Sequence, residues 1–139
     1  MRKHLLFLVL FMLVNSMYAA DRTVTIEIRN VLASSGKVYV AVYNSEKAYK
    51  NQDPIKSYVL ESKSAELAIS DKIADGEYVV SIFQDLNDNG KLDTNLLGIP
   101  KEPVGISNYS GKGIPGGFED LKLLVKKDNQ IIIVSLRKI

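Results

Sequence analysis

Alternation of apolar and polar positions is strict from Thr23 onward: Val24, Ile26 and Ile28 fall on one face, Thr25, Glu27 and Arg29 on the other. That is the pattern of a half-buried strand. After a turn through Ser34-Ser35-Gly36, Lys37 to Tyr43 sets Val38, Val40 and Val42 against Tyr39, Ala41 and Tyr43. With both faces apolar, this strand is expected to be covered on both sides and central in its sheet. Asn44 to Pro54 is polar, and Ser45 to Lys50 offers helix formers behind an Asn44 or Ser45 cap, which predicts one or two helical turns before Pro54. Ser57 to Glu61 and Ala65 to Ile69 read as short strands joined at Ser62-Lys63-Ser64. Asp75-Gly76 marks a turn, and Glu77 to Gln84 is the most strand-like run of the chain. Phe118 to Val125 and Ile131 to Leu136 follow, with Asp128-Asn129 between them as a hairpin turn.

About seven strands and no long helix predict an all-β fold, a single antiparallel β-sandwich of immunoglobulin-like or transthyretin-like type. No repeat and no low-complexity linker divides it, so residues 21–139 are expected to form one domain. The exception to the pattern is the stretch 85–117, 33 residues that hold seven of the nine glycines and three of the four prolines. Connections of that length in a compact domain are functional or disordered. Leu92, Leu96, Leu97, Ile99, Val104, Ile106 and Ile114 recur through it, so it is expected to lie as an ordered cap over one end or edge of the sandwich.

The beginning of the chain alters the charge balance. Met1-Arg2-Lys3-His4 is basic, Leu5 to Val14 is an apolar run of ten, and Asn15-Ser16 precedes the small pair Ala19-Ala20. This is the layout of a secretory signal peptide, expected over residues 1–20; a membrane span needs about 20 apolar residues. The expected location is therefore outside the cytoplasm, in the periplasm or the medium, and an integral membrane protein is not expected. With Arg2 and Lys3 gone, 18 basic residues become 16, against 16 acidic ones. A net charge of zero removes the main driving force for binding nucleic acid. The sole histidine, His4, leaves with the leader, and the chain has no cysteine or tryptophan. Serine-histidine or cysteine-histidine nucleophiles, thiolate or imidazole zinc sites and disulfides are thereby excluded, and metal chemistry is confined to oxygen ligands for calcium or magnesium.

One stretch carries such ligands. Numbered from Asp85, positions one, three and five are Asp85, Asn87 and Asn89, position six is Gly90, position seven supplies the Lys91 carbonyl, and position nine is Asp93. Alternating oxygen-bearing side chains with a glycine at the sharp turn suit the six to eight oxygens that calcium takes. Leu92 is placed to tuck the loop onto the core. Position twelve, where a bidentate glutamate closes such loops, is Leu96. A closing carboxylate must then come from elsewhere, with Glu102, Glu119 and Asp120 the nearest candidates. With Asp85 and Asp93 the only charged side chains at ligand positions, weak, structural binding of about 0.1–1 mM is expected. The other reading of Asn87-Asp88-Asn89-Gly90 is a plain polar turn whose asparagines cap their own backbone.

Asp85 through Asn95, then Gly98-Ile99-Pro100-Lys101-Glu102-Pro103, Ser107-Asn108 and Phe118-Glu119-Asp120, resemble the bacterial exported family catalogued as domain of unknown function 2141. The likeness covers nearly the whole chain after the leader. Ile106 stands where the family typically has an aromatic, and Gly116-Gly117 where it has prolines. The resemblance implies a secreted or periplasmic sandwich and supplies no catalytic residues. Ala74-Asp75-Gly76-Glu77-Tyr78 also looks like the turn-and-strand entry of transthyretin-like sandwiches, which bears on fold alone.

The functional expectation is an exported, non-catalytic binding or structural module of the cell envelope. Its calcium-type loop orders the cap, and its partner is an envelope protein or a glycan that Tyr39, Tyr43, Tyr49, Tyr58 or Tyr109 could stack against. Two alternatives come from other classes: a small glycan hydrolase using Glu102, Glu119 and Asp120, and an assembly module pairing through open sheet edges.

Overall fold

The computed structural model describes residues 19–139; the expected leader, but for Ala19 and Ala20, lies outside the described residues. Among the described residues, eight strands form two sheets. In the first, β1 (Asp21–Arg29) is the middle strand, antiparallel to β4 (Glu66–Ala74) and parallel to β8 (Gln130–Ser135). In the second, β2 (Lys37–Tyr43) lies between the edge strand β3 (Lys56–Glu61) and β5 (Gly76–Asp85). The far end of β5 pairs with β6 (Val104–Ile106), and its start pairs with β7 (Leu123–Val125). Two short helices among the described residues, α1 (Glu46–Asn51) and α2 (Phe118–Leu121), sit in the connections.

The alternation of the sequence becomes the core. Val24, Ile26 and Ile28 of β1 and Ile132 and Val134 of β8 meet Val38, Val40 and Val42 of β2 and Val80 and Ile82 of β5 across the sandwich. Each such side chain, fully buried, is worth about 1.5–3 kcal/mol. As expected, β2 is an interior strand, and α1 begins at Ser45, whose hydroxyl accepts the Ala48 N–H at 3.2 Å. The seam between the edge strands β3 and β4 is stitched by polar groups. Lys56 Nζ and the Tyr58 hydroxyl both donate to Asp71 Oδ2, at 2.7 and 2.6 Å. Those two bonds, Lys56 first, hold the Asp71 carboxyl at about 2, below its ordinary value. Burial, with Asp71 beside it, pushes the Tyr58 phenol up.

Four local expectations are corrected. The stretch from Phe118 opens as helix α2, because Phe118 and Leu121, one helical turn apart, are both buried, and Asp120 Oδ2 accepts the Gly117 N–H at 3.1 Å. Only Leu123–Val125 of that stretch is strand. Asp128-Asn129 does not close a hairpin, since β7 belongs with β5 and β8 with β1. Asp128 Oδ1 instead accepts the Thr23 N–H at 2.8 Å and holds the crossing between the sheets. The stretch 85–117 contains a strand, β6, too short and too glycine-interrupted to show a period. Finally, β4 runs on to Ala74 in unbroken register with β1.

Candidate functional site

Asp85 is the last residue of β5 and is fully buried, as is its neighbour Gln84. Gln84 donates from Nε2 to the Leu32 and Ser35 carbonyls at 2.7 and 2.6 Å, and its Oε1 accepts the Leu32 N–H at 2.9 Å. That fastens the β1–β2 connection beside Asp85. Gly36 sits against the Asp85 backbone in the left-handed region, at φ +60, and a Cβ there would fall 1.7 Å from the Asp85 carbonyl oxygen. No larger residue fits. The aspartate is thus held at a fixed point at the end of the sheet.

From that point the chain folds back on the aspartate. Asp85 Oδ1 accepts the Asn89 N–H at 3.2 Å, and Oδ2 accepts the Gly90 N–H at 2.7 Å. Asn87 Oδ1 accepts the Asn89 N–H, and Asn89 Oδ1 accepts the Lys91 N–H, so each asparagine caps the backbone two residues on. Their amide nitrogens converge on Asp93, donating to its Oδ2 at 2.6 and 2.9 Å. Asp85, Asn87, Asn89 and Asp93 are therefore brought together, as their spacing predicts, while Lys91 enters through its backbone and leaves its side chain exposed.

Among the three candidates for closing the loop, only Glu102 reaches it. It is 4 % exposed, and it accepts the Leu86 N–H on Oε1 at 2.8 Å and the Asp93 N–H on Oε2 at 3.1 Å. One carboxylate so clasps both ends of the loop. Glu119 pairs with Lys122, and Asp120 caps α2; both belong to another part of the molecule. Leu96, at position twelve, points away into solvent, and Leu92 is 39 % exposed, at the rim of a surface recess rather than in the core.

What could hold a cation is a mixed set of donors. Among the described residues no three acidic side chains gather as a ready cage. Asp85 and Asp93 must be supplemented by amide and carbonyl oxygens. In the arrangement seen, the two asparagine nitrogens face Asp93; a carboxamide turned over presents its oxygen there instead. The loop thus fits a weak oxygen-ligand site, and it is equally a turn closed by its own hydrogen bonds. No buried side-chain nitrogen or oxygen among the described residues lacks a partner.

The loop borders a recess of about 580 Å³ on the outer face of the second sheet. Tyr39 and Phe83, opposite one another on β2 and β5, stack with centroids 5.0 Å apart and planes 6° from parallel. Ser57 and Ser81 lie beside them, and Lys91 and Leu92 overhang from the cap. Phe83 escapes a reading based on single strands. Its partnership with Tyr39 follows from the pairing of β2 with β5, which the turn at Asp75-Gly76 does not specify.

A family model described as "Uncharacterized protein conserved in bacteria (DUF2141)" matches residues 26–133. No curated protein and no solved structure matches the chain.

Proposed function

The chain belongs to the DUF2141 family, and on its geometry we propose that it is an exported, non-catalytic binding or structural module of the cell envelope, with a cap organised by a weak calcium site. The observation that carries this reading is the double clasp. Asp85, at the sheet end, and Glu102, in the cap, are both buried, and all four of their oxygens accept backbone N–H groups of the loop. A cap held this firmly beside an aromatic recess presents a defined surface to a partner or glycan, which supports binding rather than chemistry. Asp85, Asn87, Asn89, the Lys91 carbonyl and Asp93 would hold the ion. Glu102 acts as a brace that bridges the two ends of the loop, and Asp85, whose oxygens accept the Asn89 and Gly90 N–H groups, must exchange one of those bonds to reach the ion. Bound there, calcium would balance the charge of the Asp85 and Asp93 carboxylates and tighten the turn.

The leader read at residues 1–20 supports export, and the second sheet's outer face supports a stacking ligand such as a sugar ring. Calorimetric titration of the mature chain with calcium tests the metal. A dissociation constant of about 0.1–1 mM is expected, weakened in Asp93→Ala and poorly matched by magnesium. No heat and no melting shift relative to chelator would sink the calcium reading and leave the hydrogen-bonded cap.

A further inference from the structure

Within the cap, residues 93–101 form a small excursion with a built turn at its end. Lys101 N–H donates to the Asp93 carbonyl at 2.8 Å, and Thr94 bridges Pro100. Asn95 N–H donates to the Ile99 carbonyl at 2.8 Å, and Gly98 N–H to the Asn95 carbonyl at 3.0 Å. The Asn95 side-chain oxygen accepts from both Leu97 and Ile99 N–H, at 2.8 and 3.0 Å. The turn is thus closed by its own hydrogen bonds, while the two leucines at its tip are turned to solvent. Leu96 is wholly exposed, and Leu97 is 83 % exposed. Ile114 is 95 % exposed on the adjoining segment, whose Pro115 lines the same recess as Gly98.

Three exposed basic residues lie in the same cap. Lys91 and Lys101 are at the base of the excursion and Lys112 is on the adjoining segment; none of the three has an acidic partner among the described residues. The acids nearby are turned elsewhere. Glu102 and Asp85 are buried, Asp93 takes two asparagine N–H groups, and Asp88 faces the recess lined by Ser34, Gly36 and Lys37.

We propose that the Asn95–Gly98 turn, with Leu96 and Leu97 at its tip and Lys91, Lys101 and Lys112 in the same cap, is a peripheral docking wedge for an anionic lipid surface. Aliphatic side chains enter the boundary of the acyl layer while lysines of the cap meet the phosphates, the division of labour that interfacial anchors use. A protein partner is the poorer fit. The tip is convex and about four residues wide, whereas stable protein interfaces bury roughly 1,200–2,000 Å². The inference rests on the turn and its lysines and is independent of the calcium reading.

The test is co-sedimentation of the mature chain with vesicles of phosphatidylcholine alone or mixed with phosphatidylglycerol. Chelator is present throughout, so that calcium cannot bridge protein to lipid. Binding to the anionic vesicles is expected, weakened by salt, with little binding to the neutral ones. Leu96→Asp with Leu97→Asp should lower the partition coefficient about a hundredfold, and Lys91→Glu with Lys101→Glu about tenfold or more, both with unchanged melting. Absence of binding to anionic vesicles, or binding indifferent to both variants, overturns the proposal. So does concentration-dependent self-association that the leucine variants abolish, which would make a second copy the occupant.

Discussion

The sandwich and its cap are held by opposite means. Between the sheets, Val24, Ile28, Val40, Val80 and Ile82 are buried together and polar groups are rare. In the first part of the cap the relation is inverted: Leu96 and Leu97 face water and the buried anchors are the carboxylates of Asp85 and Glu102, while Val104 and Ile106 of β6 pack the return of the cap by apolar contact. A core built from apolar area tolerates local loss, because each side chain contributes a share. A clasp built from acceptors is all or nothing for the segment it holds, since a lost acceptor strands the N–H groups that it satisfied.

That contrast can be broken at several points. The largest effect belongs to the core: Ile82→Ala should cost about 2–5 kcal/mol and lower the single melting transition of the whole domain, read by circular dichroism. Next, Glu102→Ala removes both acceptors for Leu86 and Asp93 N–H and should cost about 2–3 kcal/mol. Its signature is local, with amide exchange speeding up from 86 to about 103 while β1 and β2 stay protected. Glu102→Gln, which keeps one acceptor oxygen, should recover part of the loss. If both alanine variants loosen the whole domain equally, the cap is not a separate unit.

A smaller effect is predicted for calcium at the proposed site. At about 1–2 mM ion and a dissociation constant near 0.1 mM, it should add roughly 1.5 kcal/mol, visible as a raised melting temperature that Asp93→Ala removes. The smallest effect is the polar stitch at the sheet seam. The folded carboxyl of Asp71 sits at about 2, below its ordinary 3.8. Its contribution is therefore fully present above the higher value and lost as pH falls through the lower one. Acid melting curves of wild type and Asp71→Asn should differ above about pH 4 and converge toward pH 2. Because the side chain is 39 % exposed, solvent screens the pair and the shift in melting will be slight.

The same contrast explains what the residues disclose by themselves. Apolar burial leaves a period, so β1, β2 and β5 are plain in Val24-Ile26-Ile28, Val38-Val40-Val42 and Val80-Ile82. The donors at 85, 87, 89 and 93 are equally plain, because one turn sets their spacing. Which acid would close the loop was not legible: Glu102, Glu119 and Asp120 are equivalent in the chain, and only the return of the cap to β5 selects the first. Nor did Phe118 and Leu121 declare a helix, since Leu123 and Val125 continue the apolar count at strand spacing. The Asp128-Asn129 turn chemistry is real, but a turn cannot reveal that its two flanking strands join different sheets.

The parallel pairing of β1 with β8 sets an order of events. Val24 hydrogen-bonds across to the neighbourhood of Gln130, and the ladder continues through Arg29 beside Ser135. The middle strand of the first sheet therefore has one flank open until the final strand arrives, and no early segment can complete that sheet by itself. Such distant contacts require closing a long loop before they yield any gain, which places folding in the slower, millisecond-to-second range of β domains. A chain delivered N-terminus first stays unfinished, with a bare edge on β1, until β8 has been delivered.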